Sequence, residues 1–140
     1  MKKSNYLDTL LEIINLPIEI NEKIVNNIYS YSFKNSAELK EAVQNYPNNE
    51  EKYGDCKWWD VSYVTNMADM FNNSKFNGTI SEWDVSNVTT MEYMFESSAF
   101  NGIISEWDVS NVTNMYGMFY DSQFNGTISE WDLSNVIQKY

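Results

Sequence analysis

Arginine and histidine are absent from the 140 residues, and all nine basic side chains are lysines. The chain therefore lacks the usual general base, the forked clamp for phosphate or carboxylate, and the commonest zinc ligand. Positive charge is scarce as well, since twenty acidic residues leave a formal net charge of −11. That balance disfavours nucleic acid, because neutralising phosphates requires a basic face. Cysteine is limited to Cys56, which cannot close an intramolecular disulfide, so the fold does not depend on an oxidising compartment. No apolar run reaches the roughly 18 residues that cross a bilayer, and no membrane partner is expected. Lys2 and Lys3 open the chain, but Asp8 and Glu12 interrupt the apolar stretch and no small-residue cleavage site follows. The start reads as mature chain rather than signal peptide. The expectation is a soluble, intracellular, cytoplasmic protein of one compact domain, 43% apolar and too short for a two-domain enzyme.

What is present divides in two. Residues 1–54 hold 6 Lys and 8 acidic residues, net −2, whereas 55–140 hold 3 and 12, net −9. In the first part Leu7, Leu10, Leu11 and Ile14, then Ile20, Ile24, Val25 and Ile28, recur at helical spacing and predict two amphipathic helices. Pro17 suits the first turn of the second, where its missing N–H costs no hydrogen bond. A third helix is expected from about Asn35 or Ser36, with Asn35 and Glu38 at capping-box spacing and Leu39, Ala42 and Val43 buried. Pro47 and the polar stretch Asn48 to Glu51 should end it.

The second part repeats. Trp59, Trp83, Trp107 and Trp131 stand 24 residues apart, a period that signals a stacked array. Residues 80–103 and 104–127 differ at only seven positions, behind a degenerate first unit from Cys56 and a truncated last one from Ile128. This makes about three and a half units. The apolar set of a unit is Ile80, Trp83, Val85, Val88, Met91, Met94, Phe95 and Phe100. Its opening I-x-x-W-x-V has the spacing of a leucine-rich repeat, which places a short strand at 82–85 and sets Met91, Met94 and Phe95 on a helical turn opposite. Asn87, Asn111 and Asn135 follow that strand, where a buried amide can satisfy the backbone of the next unit, and Tyr63 takes that place in the first. The Asn-Gly pairs at 77–78, 101–102 and 125–126 mark tight turns that favour positive φ.

WDVSNVTTMEYMF and WDVSNVTNMYGMF, each followed by FNG and an ISEW restart, resemble the bacterial surface-protein repeat of the BspA-like leucine-rich family, also known as a domain of unknown function in mollicutes. The likeness runs over roughly residues 35–140 and includes the lead-in AELKEAV and KYGD. It implies an α/β repeat fold, a short leucine-rich-repeat-like solenoid of about 3.5 coils with an N-terminal helical cap at 1–54 and the solenoid at 55–140. It also implies a non-catalytic role in protein binding. Many relatives are secreted or surface-anchored, and similar repeats occur in large DNA viruses of protists, so surface and virion structural roles are alternatives.

In such a strand the residues between the inward ones face the concave surface: Glu82 and Asp84, Glu106 and Asp108, Glu130 and Asp132, with Trp58 and Asp60 in the first coil. Adjacent coils would place equivalents about 4.8 Å apart, forming an acidic stripe suited to a basic protein partner, with Trp58 as anchor. The competing reading is a solvated face whose Asp residues bond local Ser and backbone groups. No calcium-loop pattern accompanies the carboxylates, identical pairs on every coil are a poor basis for the asymmetric chemistry of a glycosidase, and no metal or cofactor is expected. Cys56 takes the place of Ile80 in the register and should be buried and inert. At the far end Ile128, Trp131, Leu133 and Val136 would lie against nothing unless the tail folds over them or a second copy covers them, as in a homodimer. Leu16-Pro17-Ile18-Glu19-Ile20, followed by Ile24 and Ile28, also resembles the start of an F-box at 16–31, the motif that docks on the adaptor subunit of ubiquitin ligases. That resemblance implies an exposed docking patch of Leu16, Pro17 and Ile20, although the later V-C-K-x-W segment is absent.

Overall fold

The computed structural model describes Pro17 and residues 30–139. The two N-terminal helices expected from the sequence, with Leu16 and Ile20, lie outside the described residues. Helix α1 spans Ser36–Asn45 and buries Leu39, Ala42 and Val43, the three residues its periodicity selects. Asn35 caps it, its Oδ1 accepting from the Glu38 N–H at 2.9 Å. The Glu38 carboxylate reaches one residue beyond the usual capping-box target and accepts from the Lys34 N–H at 3.1 Å. The polar stretch after Pro47 is not merely a terminator, since Glu50–Tyr53 form a second short helix, α2. A 3-10 turn at Cys56–Trp58 leads into the first repeat.

From there the repeats lie against one another in register. Isolated parallel bridges join Asn66 to Thr90, Thr90 to Asn114 and Asn114 to Gln138. Alternate N–H groups then donate to the following repeat: Asp69 to Glu92, Phe71 to Met94 and Asn73 to Glu96, each at 2.9 Å, and likewise Tyr93 to Tyr116, Phe95 to Met118 and Ser97 to Tyr120 at 2.9, 2.8 and 2.9 Å. The intervening N–H groups turn back within the repeat, Met94 to Met91 at 3.1 Å and Ser98 to Phe95 at 3.2 Å. Asp69, Asn73, Tyr93, Ser97, Gly117 and Asp121 all have φ between 50 and 62°. Left-handed residues at this interval roll the backbone into successive turns, so the paired segment is neither an extended strand nor the helical turn expected for 91–95. We call its outward side the ladder face.

The strand expected at 82–85 is therefore misplaced. There the Asp84 carboxylate accepts from the Ser86 N–H at 3.0 Å and its Oγ at 2.5 Å, while the Trp83 N–H returns to the Ile80 carbonyl at 3.2 Å. Local turn chemistry has taken the groups that a strand would share with its neighbour. The Asn-Gly expectation also fails in detail. Among the glycines only Gly54 and Gly117 have positive φ; Gly78, Gly102 and Gly126 instead leave room for an aromatic ring. A Cβ at Gly102 or Gly126 would stand 2.8 or 2.6 Å from the ring of Phe100 or Phe124.

One hydrophobic cluster runs from Phe33 to Val136. Phe71, Phe95 and Phe119 stack in a column with centroids 5.1 and 5.7 Å apart, and Trp107 stacks on Trp131 at 6.5 Å. Each indole also donates to the repeat behind it: Trp83 Nε1 to the Cys56 carbonyl at 2.8 Å, Trp107 to Ile80 and Trp131 to Ile104, both at 3.0 Å. The buried N–H is thereby satisfied while the ring fills the core. At the entry, Phe33 packs on Trp59 at 5.0 Å and the Phe33 N–H donates to the Asp60 carbonyl at 2.9 Å. No single coil could bury this surface alone, so stability is a property of the interfaces.

Candidate functional site

The acidic stripe keeps its place on the outside, but its two residue types differ in what they are free to do. Glu82, Glu106, Glu130, Asp84, Asp108 and Asp132 are exposed, and Asp60 and Trp58 are half-buried. Every Asp is engaged by the Ser two residues on. Asp108 accepts from the Ser110 N–H at 3.0 Å and Oγ at 2.6 Å, Asp132 accepts from the Ser134 N–H at 3.0 Å, and Asp60 accepts from Ser62 and, at 2.9 Å, from the Ser32 hydroxyl. The Glu carboxylates have no protein donor among the described residues. Trp58 is less open than an anchor should be, because Lys57 Nζ sits 4.6 Å from its ring centroid. The stripe's Asp residues thus build turns, and its Glu residues carry the accessible charge.

Those turns leave an electrostatic signature. The Ser110 hydroxyl, then its N–H, hold Asp108 below the ordinary carboxylate value against desolvation and the like charge of Asp132, and the Ser134 hydroxyl and N–H hold Asp132 down against desolvation. At Asp60 burial pushes the pKa up, yet the Ser62 hydroxyl and N–H with Ser32 hold it below normal overall. A depressed folded-state pKa stabilises above the unfolded carboxylate range, and that contribution is lost as pH falls through the lowered value. Thermal stability should therefore decline on acidification below about pH 4. Ser110→Ala with Ser134→Ala should flatten that decline, as read by melting temperature against pH; an unaltered slope would show that the hydroxyls do not hold the carboxylates.

The asparagines behave as expected in one respect and not in another. Asn87 Nδ2 donates to the Ser62 carbonyl at 2.8 Å, and Asn111 and Asn135 to Ser86 and Ser110, both at 2.7 Å. They bridge neighbouring repeats from exposed positions rather than from the interior. Tyr63, which replaces them at the entry, is 60% exposed with Lys34 Nζ 4.2 Å above its ring. Cys56 is fully buried, and burial pushes its thiol up to about 11, the opposite of an activated nucleophile.

At the C-terminal end Trp131 and Val136 are 7% and 9% exposed, and Ile128 and Leu133 pack partly buried on the same core. The tail does lie across the preceding repeat, with the Ile137 N–H on the Thr113 carbonyl at 2.8 Å and the Met115 N–H on Gln138 at 2.7 Å. Of the residues proposed for self-association, only Ile128 and Leu133 keep partly accessible surface. Pro17 is exposed; its companions in the docking patch, Leu16 and Ile20, lie outside the described residues.

A family model described as Mycoplasma protein of unknown function, DUF285, matches residues 37–140. The chain belongs to that family. No match is found among curated proteins or among solved structures. The DUF285 match starts inside α1 and takes in every repeat, whereas the F-box-like stretch at 16–31 falls outside it. No helix among the described residues is long and apolar enough to cross a membrane, and no group of three or more potential metal ligands occurs among them.

Sequence reasoning overlooked the ladder face of this DUF285 chain. Its outward residues include Glu92, Tyr93, Glu96, Tyr116 and Tyr120, none of them buried. The signal was available: the seven positions at which the two central repeats differ are 90, 92, 93, 96, 97, 99 and 103 against their counterparts, and all lie between the first ladder residue and the end of the unit.

Proposed function

We propose that the chain is a non-catalytic protein-interaction module, a short leucine-rich-repeat-like solenoid of the BspA-like kind with a helical cap at its N-terminal end. The observation that supports this most is how the repeat motif spends its polar groups. Asp84 and Asp108 are held by Ser86 and Ser110, Asn87 and Asn111 by neighbouring carbonyls, and the Trp indoles by the repeat behind. What would carry chemistry in an enzyme carries the fold here. The outward surface that remains is regular, acidic and open, which suits a basic partner steered by charge.

The test is affinity capture, purification of the captured protein, and titration of the pure pair across salt concentrations. A stoichiometric, salt-sensitive complex supports the reading, with Glu82→Lys/Glu106→Lys/Glu130→Lys asking whether the stripe takes part. Failure to reconstitute any complex, or turnover of a substrate, counts against it. The F-box-type adaptor is the second reading, and the exposed Pro17 meets one condition it sets. Capture of a ubiquitin-ligase adaptor subunit that is lost in Pro17→Glu and retained in the triple Glu variant would favour it.

A further inference from the structure

We propose that partner recognition lies on the ladder face, and that the exposed tyrosines there receive the cationic side chains of a basic peptide segment. The inference rests on the interaction-module reading and assigns that module's contact surface. It begins from the internal comparison. Between residues 80–103 and 104–127 every buried position in the first unit is kept, as are Asp84, Ser86 and Asn87, which make the turn and the bridge to the repeat behind. The changes instead convert Glu92 to Tyr116, Tyr93 to Gly117 and Glu96 to Tyr120. These swaps exchange charge and aromatic surface on the outside of an unchanged frame.

The geometry makes one patch of them. The Tyr93 and Tyr116 rings meet edge to face at 5.5 Å. Gly117 is what lets them do so, because a Cβ there would lie 2.4 Å from Tyr93 Cε1. Tyr116 and Tyr120 are 41% and 68% exposed, more than the fold needs of residues that could have remained Glu. Asn72 Nδ2 donates to Glu96 Oε2 at 2.8 Å and Asn114 Nδ2 to Glu92 Oε2 at 3.3 Å, which fixes both carboxylates beside the rings. The other oxygen of each has no protein donor among the described residues. Ring faces next to fixed carboxylates, on a chain of net charge −11, complement a guanidinium or ammonium that can sit on a ring and pair with an acid at once.

The probe is a short fluorescein-labelled peptide of alternating Arg and Gly, titrated at low and moderate salt, with a Gln-for-Arg peptide as control. Tyr116→Ser/Tyr120→Ser leaves net charge unchanged, so attraction by charge alone does not move. It should weaken binding roughly tenfold, the order expected for two exposed cation–π contacts, while Tyr116→Phe/Tyr120→Phe binds as the parent does. Glu106→Gln/Glu130→Gln, on the stripe, should stay within about twofold. The proposal is overturned if the stripe pair weakens binding as much as the serine pair, if the Gln peptide binds equally, if no saturable binding appears at low salt, or if a neutral oligosaccharide occupies the tyrosines instead. A reconstituted protein complex that survives the serine pair and fails in the stripe variant would sink this assignment and leave the module reading standing.

Discussion

Replacing Phe95 with Ala should cost about 3–5 kcal/mol, the range for removing a large aromatic from a core that relaxes only in part. Phe95 is fully buried and is the middle member of its column. It stacks on Phe71 at 5.1 Å, Phe119 at 5.7 Å, Phe100 at 4.8 Å and Trp107 at 6.4 Å. The substitution therefore opens a void between repeats on both sides rather than at one surface. A domain of this size has roughly 5–15 kcal/mol in total, so the loss consumes much of it. Phe119→Ala should cost distinctly less, because that ring is only half-buried at the last full repeat. Denaturant titration of the two variants measures the difference. Equal losses would mean that the column is not a shared core, and that each ring is stabilised within its own repeat.

The core was legible because a strict period shows which positions point inward. Trp83, Val85, Val88, Met91, Met94 and Phe95 are all buried, as apolar spacing alone demanded. The path of the backbone between them was less legible. The spacing of I-x-x-W-x-V suits a strand, yet the D-x-S that overlaps its end is also an Asp-capped turn, and the bonds from Ser86 to the Asp84 carboxylate win because they close locally at little entropic cost. The ladder was hidden for a different reason. Its turns need left-handed residues at Tyr93 and Ser97, types that rarely adopt that conformation, and the parallel bonds between repeats hold them there. On the candidate site, alternation within the repeat placed the stripe, and of its two readings the one in which the Asp residues bond local Ser and backbone groups describes Asp84 with Ser86 and Asp108 with Ser110. The ladder tyrosines escaped notice because Tyr93, Tyr116 and Tyr120 fall outside the recurring apolar set, at positions whose residue type changes from one unit to the next.

Removing a whole repeat should be better tolerated than removing half of one. Deletion of residues 80–103 joins Thr79 to Ile104, and a Thr-Ile junction already stands at Thr79-Ile80 and Thr127-Ile128. The Trp107 indole, which now donates to Ile80, can take the Cys56 carbonyl that Trp83 uses, both being bonds across 27 residues in the native chain. Phe119 would then meet Phe71, and the Met67 N–H the Asn114 carbonyl, as Met67 now meets Thr90. One interface between repeats is lost, so stability should fall by several kcal/mol, on the order of the nearest-neighbour coupling in stacked arrays. Unfolding should stay cooperative, with a denaturant slope lower by about one-sixth, the share of the chain removed. Deletion of 80–91 alone sets every later Trp, Met and Phe half a period out of register, and the product should have no cooperative transition by circular dichroism. If both deletions unfold alike, the 24-residue unit is not the unit of folding, and the stacking described for Phe71, Phe95 and Phe119 would have to depend on residues outside the repeat.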